Sequence, residues 1–555
     1  MAATDIYAPP SSWPNGRPPV GFCTKSTWGD TFASSALNHQ TQENYEKDIA
    51  ELKEEARSML IDAKGKTISE RLALIDTLER LGVGYHFEQE IEEQLDDIMS
   101  KFNSNNEDYD LCTSAHFFRL LRQHRRFVSC EVFDKFVEKD NNKFKEGLGN
   151  DGKGLLSLYE AAHLRIRGEE ILDEAVSFTV RHLKHTVQSL EPALQAQVKK
   201  ALERPLQRGI PRMEARHYIS SYEKDELRNE QLLKLAKLDF NYVQNIYKDE
   251  LYQLTKWWDE LNPHMPYARN RLVEAHLWSV SSNFEPQYSL ARVIGTKFIQ
   301  MLTVLDDTYD NYATVEEGEI FAEVVERWNI DEMDGLPDYM KPLYRFILKL
   351  FDQYEADAAE QGKQPFALSY AKQTVEEICR AYTQGLKYTM GGPMDSFEDF
   401  VVNSVVASIM YVSCAAAIPG LKMVSKETIE WLKSEPKIIR AAAMVCRYLD
   451  DLGSQERESQ QGTLLTGLDF YVRHHGGSIQ EARDKFVELA EDEWKDLNAE
   501  WIRDVKSEVP REMVEVILGY ARASDVFYRH SRDGYAKSHN MTPEVDALFM
   551  EPMAF

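Results

Sequence analysis

Apolar residues recur at helical spacing along most of the chain. Leu232, Leu235, Leu238, Tyr242 and Ile246 fall on one face of a 3.6-residue repeat, and comparable segments continue to about Tyr528. Upstream, from about Glu43 to Ala201, helix-length segments are separated by polar or glycine-containing breaks such as Asn103 to Asp110 and Gly147 to Gly154. Strand alternation is hardly seen, so the pattern predicts an all-α protein in both halves. Arg204-Pro205-Leu206-Gln207-Arg208-Gly209-Ile210-Pro211 cannot continue a helix and reads as a linker. The expected organisation is an N-terminal arm over 1–24, a helical domain over 25–222 and a second helical domain over 223–555. His474 and His475, beside Gly476-Gly477, read as a loop without catalytic function. No repeat of fixed period is present, which argues against a solenoid.

One stripe breaks the rule that a helix face is either apolar or polar. Ile299, Leu302, Asp306 and Asp310 share a face, so an apolar lining runs directly into carboxylates. Asp306-Asp307-Thr308-Tyr309-Asp310 follows Phe298, Ile299, Met301, Leu302, Val304 and Leu305, and three carboxylates closing such a helix repel one another unless a cation binds them. Asp450, Ser454 and Glu458, spaced four and four, form a second stripe of hard oxygen donors. Such groups suit Mg²⁺, which takes one or two carboxylates per ion and fills its shell with water and phosphate oxygens. Glu92-Glu93-Gln94-Leu95-Asp96 and Asp492-Glu493-Trp494-Lys495-Asp496 have similar spacing but sit among charges and read as solvated faces. The second stripe alone fits an exposed face as well as a site. Arg447, three residues before Asp450, adds a guanidinium that grips phosphate bidentately.

Composition narrows the partners. With 555 residues and 43% hydrophobic content the chain buries a large core over two or more domains. A formal charge of −27 excludes nucleic acid or an anionic membrane as the main partner, and any phosphorylated substrate needs local cations. Cys23, Cys112, Cys130, Cys379, Cys414 and Cys446 are scattered without zinc spacing and read as free thiols of a reducing compartment. Met1 to Val20 lacks a secretory or transit-peptide pattern, so a cytoplasmic monomer is expected. Val401 to Pro419, interrupted by Asn403, Ser404 and Ser408, falls short of a membrane span.

Several motifs in order resemble those of plant terpene synthases, the class I cyclases. They are Arg17-Pro18 ahead of Trp28-Gly29-Asp30, Ile75-Asp76 through Arg80-Leu81-Gly82, Phe118-Arg119-Leu120-Leu121-Arg122-Gln123-His124, Phe284-Glu285-Pro286-Gln287-Tyr288 and the two acidic clusters. The resemblance implies a C-terminal class I helical bundle around a central active-site cavity and an N-terminal helical barrel-like domain. It implies metal ligation by Asp306, Asp307, Asp310, Asp450, Ser454 and Glu458, with three Mg²⁺ and Mn²⁺ as an alternative. Arg269, Arg271 and Arg447 match diphosphate-binding arginines, although the first two read equally as surface residues. Trp278 matches an aromatic wall whose face stabilises a carbocation, against the plainer reading of a core tryptophan. Tyr528, Asp533 and Tyr535 resemble a pocket and lid constellation or, alternatively, helix caps. Ser413-Cys414-Ala415, before Pro419-Gly420, resembles the helix break bordering the pocket, or else a small-residue helix contact. The Arg17 arm is expected to fold over the mouth.

Two positions depart from the family pattern. Asn270 stands where an Asp commonly lies between the arginines, and Gln461-Gly462 stands where an Arg-Gly commonly follows the second motif, which removes a cation near the phosphate mouth. No D-x-D-D acid motif occurs, so the N-terminal domain is expected to be structural. The implied reaction is ionisation of farnesyl diphosphate and cyclisation to a sesquiterpene, ended by proton loss or water capture. The rivals are a monoterpene synthase using geranyl diphosphate, a chain-elongating prenyltransferase and a non-catalytic helical scaffold.

Overall fold

The computed structural model describes residues 6–7, 23–24, 26–104, 108–140, 142–390, 392–461, 466–503 and 509–555. Arg17-Pro18, Gly462 and the side chain of Gln461 lie outside the described residues. The protein is all-α, as the periodicity predicts. The named strands among the described residues are the two-residue antiparallel pair Ile6–Tyr7 and Cys23–Thr24.

The chain forms two compact units. One comprises Leu37–Asn245, Lys495–Val505 and Ala547–Phe555; the other comprises Ile246–Trp494 and Lys506–Asp546 with the residues up to Ala36. The division falls inside the helix Glu230–Leu261 rather than near the 204–211 segment. That segment is no exposed linker, because Gln207 and Arg208 are buried and the Leu206 amide donates to Glu160 at 2.8 Å. Its prolines instead start a new helix, with Pro211 in the first turn of Pro211–Tyr222.

Helix starts in the first unit follow capping chemistry. Asn38, Thr67, Asp110 and Asp151 each accept from the backbone N–H three residues on, and Glu70 returns a bond to Thr67. The N-terminal motifs form a set of buried ion pairs. Arg119 bonds Asp76; burial alone would raise that carboxyl, but Arg119, His116 and Arg80 hold it at about 2. Arg122 donates to both oxygens of Glu169 and to the carbonyls of Val128 and Leu164. His124 lies between Glu79 and Glu92. Glu92, expected on a solvated face, is therefore tied to His124 and Arg126.

Seven helices of the second unit carry the residues of interest: α1 Leu272–Ser282, α2 Ser289–Asn311, α3 Gln364–Thr389, α4 Phe397–Ala407, α5 Met410–Ala417, α6 Lys437–Gln461 and α7 Arg511–Tyr528. α1 packs on α2 and α7, α6 packs on α7 and α4, and α3 packs on α4 and α5. By length and composition Phe397–Gly420 is apolar enough to cross a membrane, contrary to expectation, but most of its apolar stretch is buried within the protein. His474 and His475 form the last turn of the helix Gly467–His475 rather than a loop, because Gly476, at positive φ, ends the helix only after them. Cys112, Cys130, Cys379, Cys414 and Cys446 are free thiols.

Candidate active site

A cavity of about 550 Å³ opens among these helices. Ile299 and Leu302 line it, followed by Asp306, Asp307 and Asp310, so the α2 stripe does carry apolar surface into a carboxylate mouth. Arg447, Asp450 and Glu458 of α6 line the same cavity, as do Arg269, Arg271, Trp278, Tyr528, Asp533 and Tyr535. Residues more than two hundred positions apart in sequence thus meet in one space.

The carboxylates are not equivalent. Asp307 is buried, and its two oxygens accept from the Arg269 backbone N–H and Nε, both at 2.7 Å. Arg269 Nη2 reaches Asp306 at 2.8 Å. Asp307 thus holds Arg269 in place, at a position where the resemblance implies a metal ligand. Burial raises the carboxyl of Asp306, with Arg269 opposing and Asp307 adding to the rise. Asp310 is pushed well above the usual range by burial and then by Asp306 and Glu458. On α6, Arg447 contacts Asp450 at 2.9 Å and also bonds buried Asp451. Burial pushes Glu458 up to about 7 against the pull of Arg457. Ser454 Oγ is buried without a hydrogen-bond partner.

These features fit a divalent cation. Crowded carboxylates with raised proton affinity and an orphaned hydroxyl on the same stripe define a site short of positive charge. The described residues contain no ready-made cage of three acidic or soft ligands. Mg²⁺ does not need one, since water and phosphate complete its shell.

Arg271 lines the same cavity as Arg269 but makes different bonds. It is fully buried, and its guanidinium donates to the carbonyls of Tyr535 at 2.7 Å, Ala536 at 2.9 Å and Asn270 at 3.0 Å. It anchors the C-terminal segment over the cavity. Gln300 fixes both arginines from α2, accepting from the Arg271 N–H at 3.0 Å and donating to the Arg269 carbonyl at 2.8 Å. Trp278 forms an aromatic wall with Phe527 at 5.2 Å and with Tyr535 edge-on at 6.4 Å. The Tyr535 hydroxyl meets Thr303 at 2.6 Å, and burial raises the Tyr528 hydroxyl well above its usual range, Asp450 and Asp533 adding to the rise. A side chain at Gly453 would come within 2.7 Å of the Arg532 carbonyl, so glycine there permits α6 to approach the end of α7.

Ser413 and Cys414 are buried in α5 and do not line the cavity. The helix break that does so lies earlier, at Ala407, Ser408 and Ile409. Ser408 leaves helical geometry at φ −67° and ψ 153°, and its hydroxyl bonds back to the Val405 carbonyl, interrupting the ladder between α4 and α5.

Two family models match the chain: "Terpene synthase, N-terminal domain" over residues 27–202 and "Terpene synthase family, metal binding domain" over residues 259–496. The chain belongs to the terpene synthase family. Among relatives, tau-cadinol synthase of Lavandula angustifolia is 46% identical over 95% of this chain and 96% of its own. Gamma-cadinene synthase of Ocimum basilicum is 44% identical over 97% and 98%. Isoprene synthase from grey poplar, solved with three Mg²⁺ ions and dimethylallyl-S-thiolodiphosphate, superposes with a TM-score of 0.85 at 32% identity over 92% and 97% of the two chains. Limonene synthase with 2-fluorolinalyl diphosphate gives 0.89 at 29% identity over 97% and 100%.

Within this terpene synthase, three site residues go unread in the sequence, two of them because spacing gives no sign of them. Gln300 is a lone amide in an apolar run, and Tyr382 of α3, which lines the cavity, carries no local mark. Arg457 does carry one, lying two helical turns after Asp450.

Proposed function

We propose that this protein ionises farnesyl diphosphate and closes the allylic cation into a cyclic sesquiterpene, releasing diphosphate. The observation that carries the reading is the pairing of two acidic helices, each with its own arginine, at the mouth of one aromatic-walled cavity. Asp306 and Asp310 from α2 with Asp450, Ser454 and Glu458 from α6 would hold Mg²⁺, three ions being the count proposed, and the bound metal would supply Lewis-acid stabilisation of the leaving group. Arg269, in the segment ahead of α1, and Arg447, on α6, orient the diphosphate. Asp307 holds Arg269, and Arg271 holds the Tyr535–Ala536 segment across the cavity, excluding water from the cation. Trp278 offers its ring face to positive charge, and Tyr528, Asp533 and Tyr535 border the same space. The chemistry is assigned to residues 223–555, with 25–222 structural, in a cytoplasmic monomer.

The relatives named for cadinol and cadinene support a fifteen-carbon product. The unequal clusters, a carboxylate triad on α2 and Asp-Ser-Glu on α6, support cyclisation over chain elongation. Incubation with geranyl, farnesyl and geranylgeranyl diphosphates, with and without isopentenyl diphosphate, tests the reading by gas chromatography and mass spectrometry. Cyclic sesquiterpene from farnesyl diphosphate is expected. A longer prenyl diphosphate, or turnover unchanged by combined Asp306→Ala and Asp310→Ala, would refute it.

A further inference from the structure

α6 carries one more cation on its acidic stripe. Arg457 lies seven residues beyond Asp450, about 700° of helix, which returns it to within roughly 20° of the same face. Arg447 and Arg457 therefore bracket Asp450 and Ser454, with about 15 Å of helix rise between them, and Glu458 follows directly after Arg457. Both arginines line the cavity, and their side chains are similarly accessible, at 29% and 26%.

Arg457 donates from Nε to Asp533 at 2.7 Å and from Nη2 to Glu458 at 3.0 Å. A guanidinium has five N–H donors, so these bonds leave capacity for an entering anion. The two partners keep a reason to release it. Asp533 also accepts from the Ala536 backbone N–H at 3.0 Å and is not stranded if Arg457 turns away. Glu458 belongs to the stripe that would bind metal, and a metal-bound carboxylate no longer needs the guanidinium. Arg457 also stands on the helix where the family pattern places an arginine a few residues later and this chain has Gln461.

We propose that Arg457 is a further diphosphate-gripping residue, held at rest by Asp533 and Glu458 and transferred to phosphate oxygens when the substrate enters. This rests on reading the cavity mouth as a diphosphate site. In that role Arg457 offsets the cation missing at Gln461, and α6 grips the leaving group with both of its cavity-lining arginines.

The test is calorimetric titration of inorganic pyrophosphate into the full-length protein at saturating Mg²⁺, with circular dichroism melts of every variant. R457A is expected to raise the pyrophosphate Kd about tenfold or more, the range of a charge-assisted hydrogen bond, and R457K to raise it less. D533N is expected to leave pyrophosphate affinity unchanged or tighter, because it removes only the competing carboxylate. Wild-type affinity in R457A would overturn the assignment, as would D533N weakening pyrophosphate as much as R457A, the signature of a purely structural tie. If the wild-type protein binds no pyrophosphate with Mg²⁺, the parent reading of the site falls, and the role of Arg457 falls with it.

Discussion

Asp307 and Asp310 belong to one five-residue cluster, yet their replacement by alanine should act in opposite directions on the metal-free protein. Asp307 is buried and receives two charge-assisted bonds from Arg269. Each such bond is worth about 1.5–3 kcal/mol, and breaking a buried ion pair by removing one partner costs about 3–5 kcal/mol. D307A should therefore lose about 3–5 kcal/mol, seen as an apparent Tm lower by roughly 5 °C or more. Asp310 has no such partner to lose: its carboxyl is destabilised by burial, Asp306 and Glu458. D310A should leave metal-free stability unchanged or raise it by about 1 kcal/mol while weakening Mg²⁺ binding. D307N, which keeps one oxygen for the Arg269 amide, should fall between D307A and wild type. Thermal and urea melts in chelator, followed by Mg²⁺ titration, measure both quantities. If D307A proved as stable as D310A, with equal loss of Mg²⁺ affinity, Asp307 would be a ligand and the orienting role would be wrong.

Other expectations follow from the same geometry. Glu458 binds a proton more readily in the folded site, at about 7, than at its ordinary value of 4.5, so metal-free stability should fall as pH rises through 7. Mg²⁺ binding at pH 7 should then expel about half a proton from it, read as a dependence of calorimetric heat on buffer ionisation that E458Q abolishes. W278A should lower kcat about tenfold, the range of a desolvated cation–π contact, and W278F should recover part of it; equal kcat in all three would place Trp278 outside the reaction. R271K keeps the charge but not the fork that holds two carbonyls, so kcat and the product mixture should change more than KM for farnesyl diphosphate, as steady-state kinetics would report.

Periodicity carried the all-α reading well because burying one helix face is a local requirement of each segment. Asp306, Asp310, Asp450 and Glu458 were visible for a similar reason: clustered carboxylates at the end of an apolar stripe are costly unless they have work to do. The division of labour among neighbours was not visible. Asp307 differs from Asp306 in being buried and in taking two bonds from Arg269, thirty-eight residues upstream, where Asp306 takes one, and Arg271 turns toward carbonyls of residues 535 and 536. Both facts depend on long-range packing. The helix break was expected at Ser413 and Cys414, beside a visible proline and glycine. It occurs at Ser408, where a hydroxyl bonding its own helix does the work of a breaker. The 204–211 segment misled for the converse reason, since prolines that stop one helix also start another.

The arginines that neutralise the mouth make it an ion exchanger. At rest Arg269 satisfies Asp306 and Asp307, Arg447 satisfies Asp450 and Asp451, and Arg457 satisfies Glu458 and Asp533. A metal arriving alone must displace a guanidinium that then has no phosphate to hold, and a diphosphate arriving alone must strip a carboxylate of its counter-ion. Arriving together, they let every pair swap partners without leaving any charge stranded. Metal and diphosphate should therefore each raise the other's affinity by the same factor, as reciprocal linkage requires. An acidic protein of net charge −27 can in this way refuse stray polyanions and still admit one that brings its cations with it.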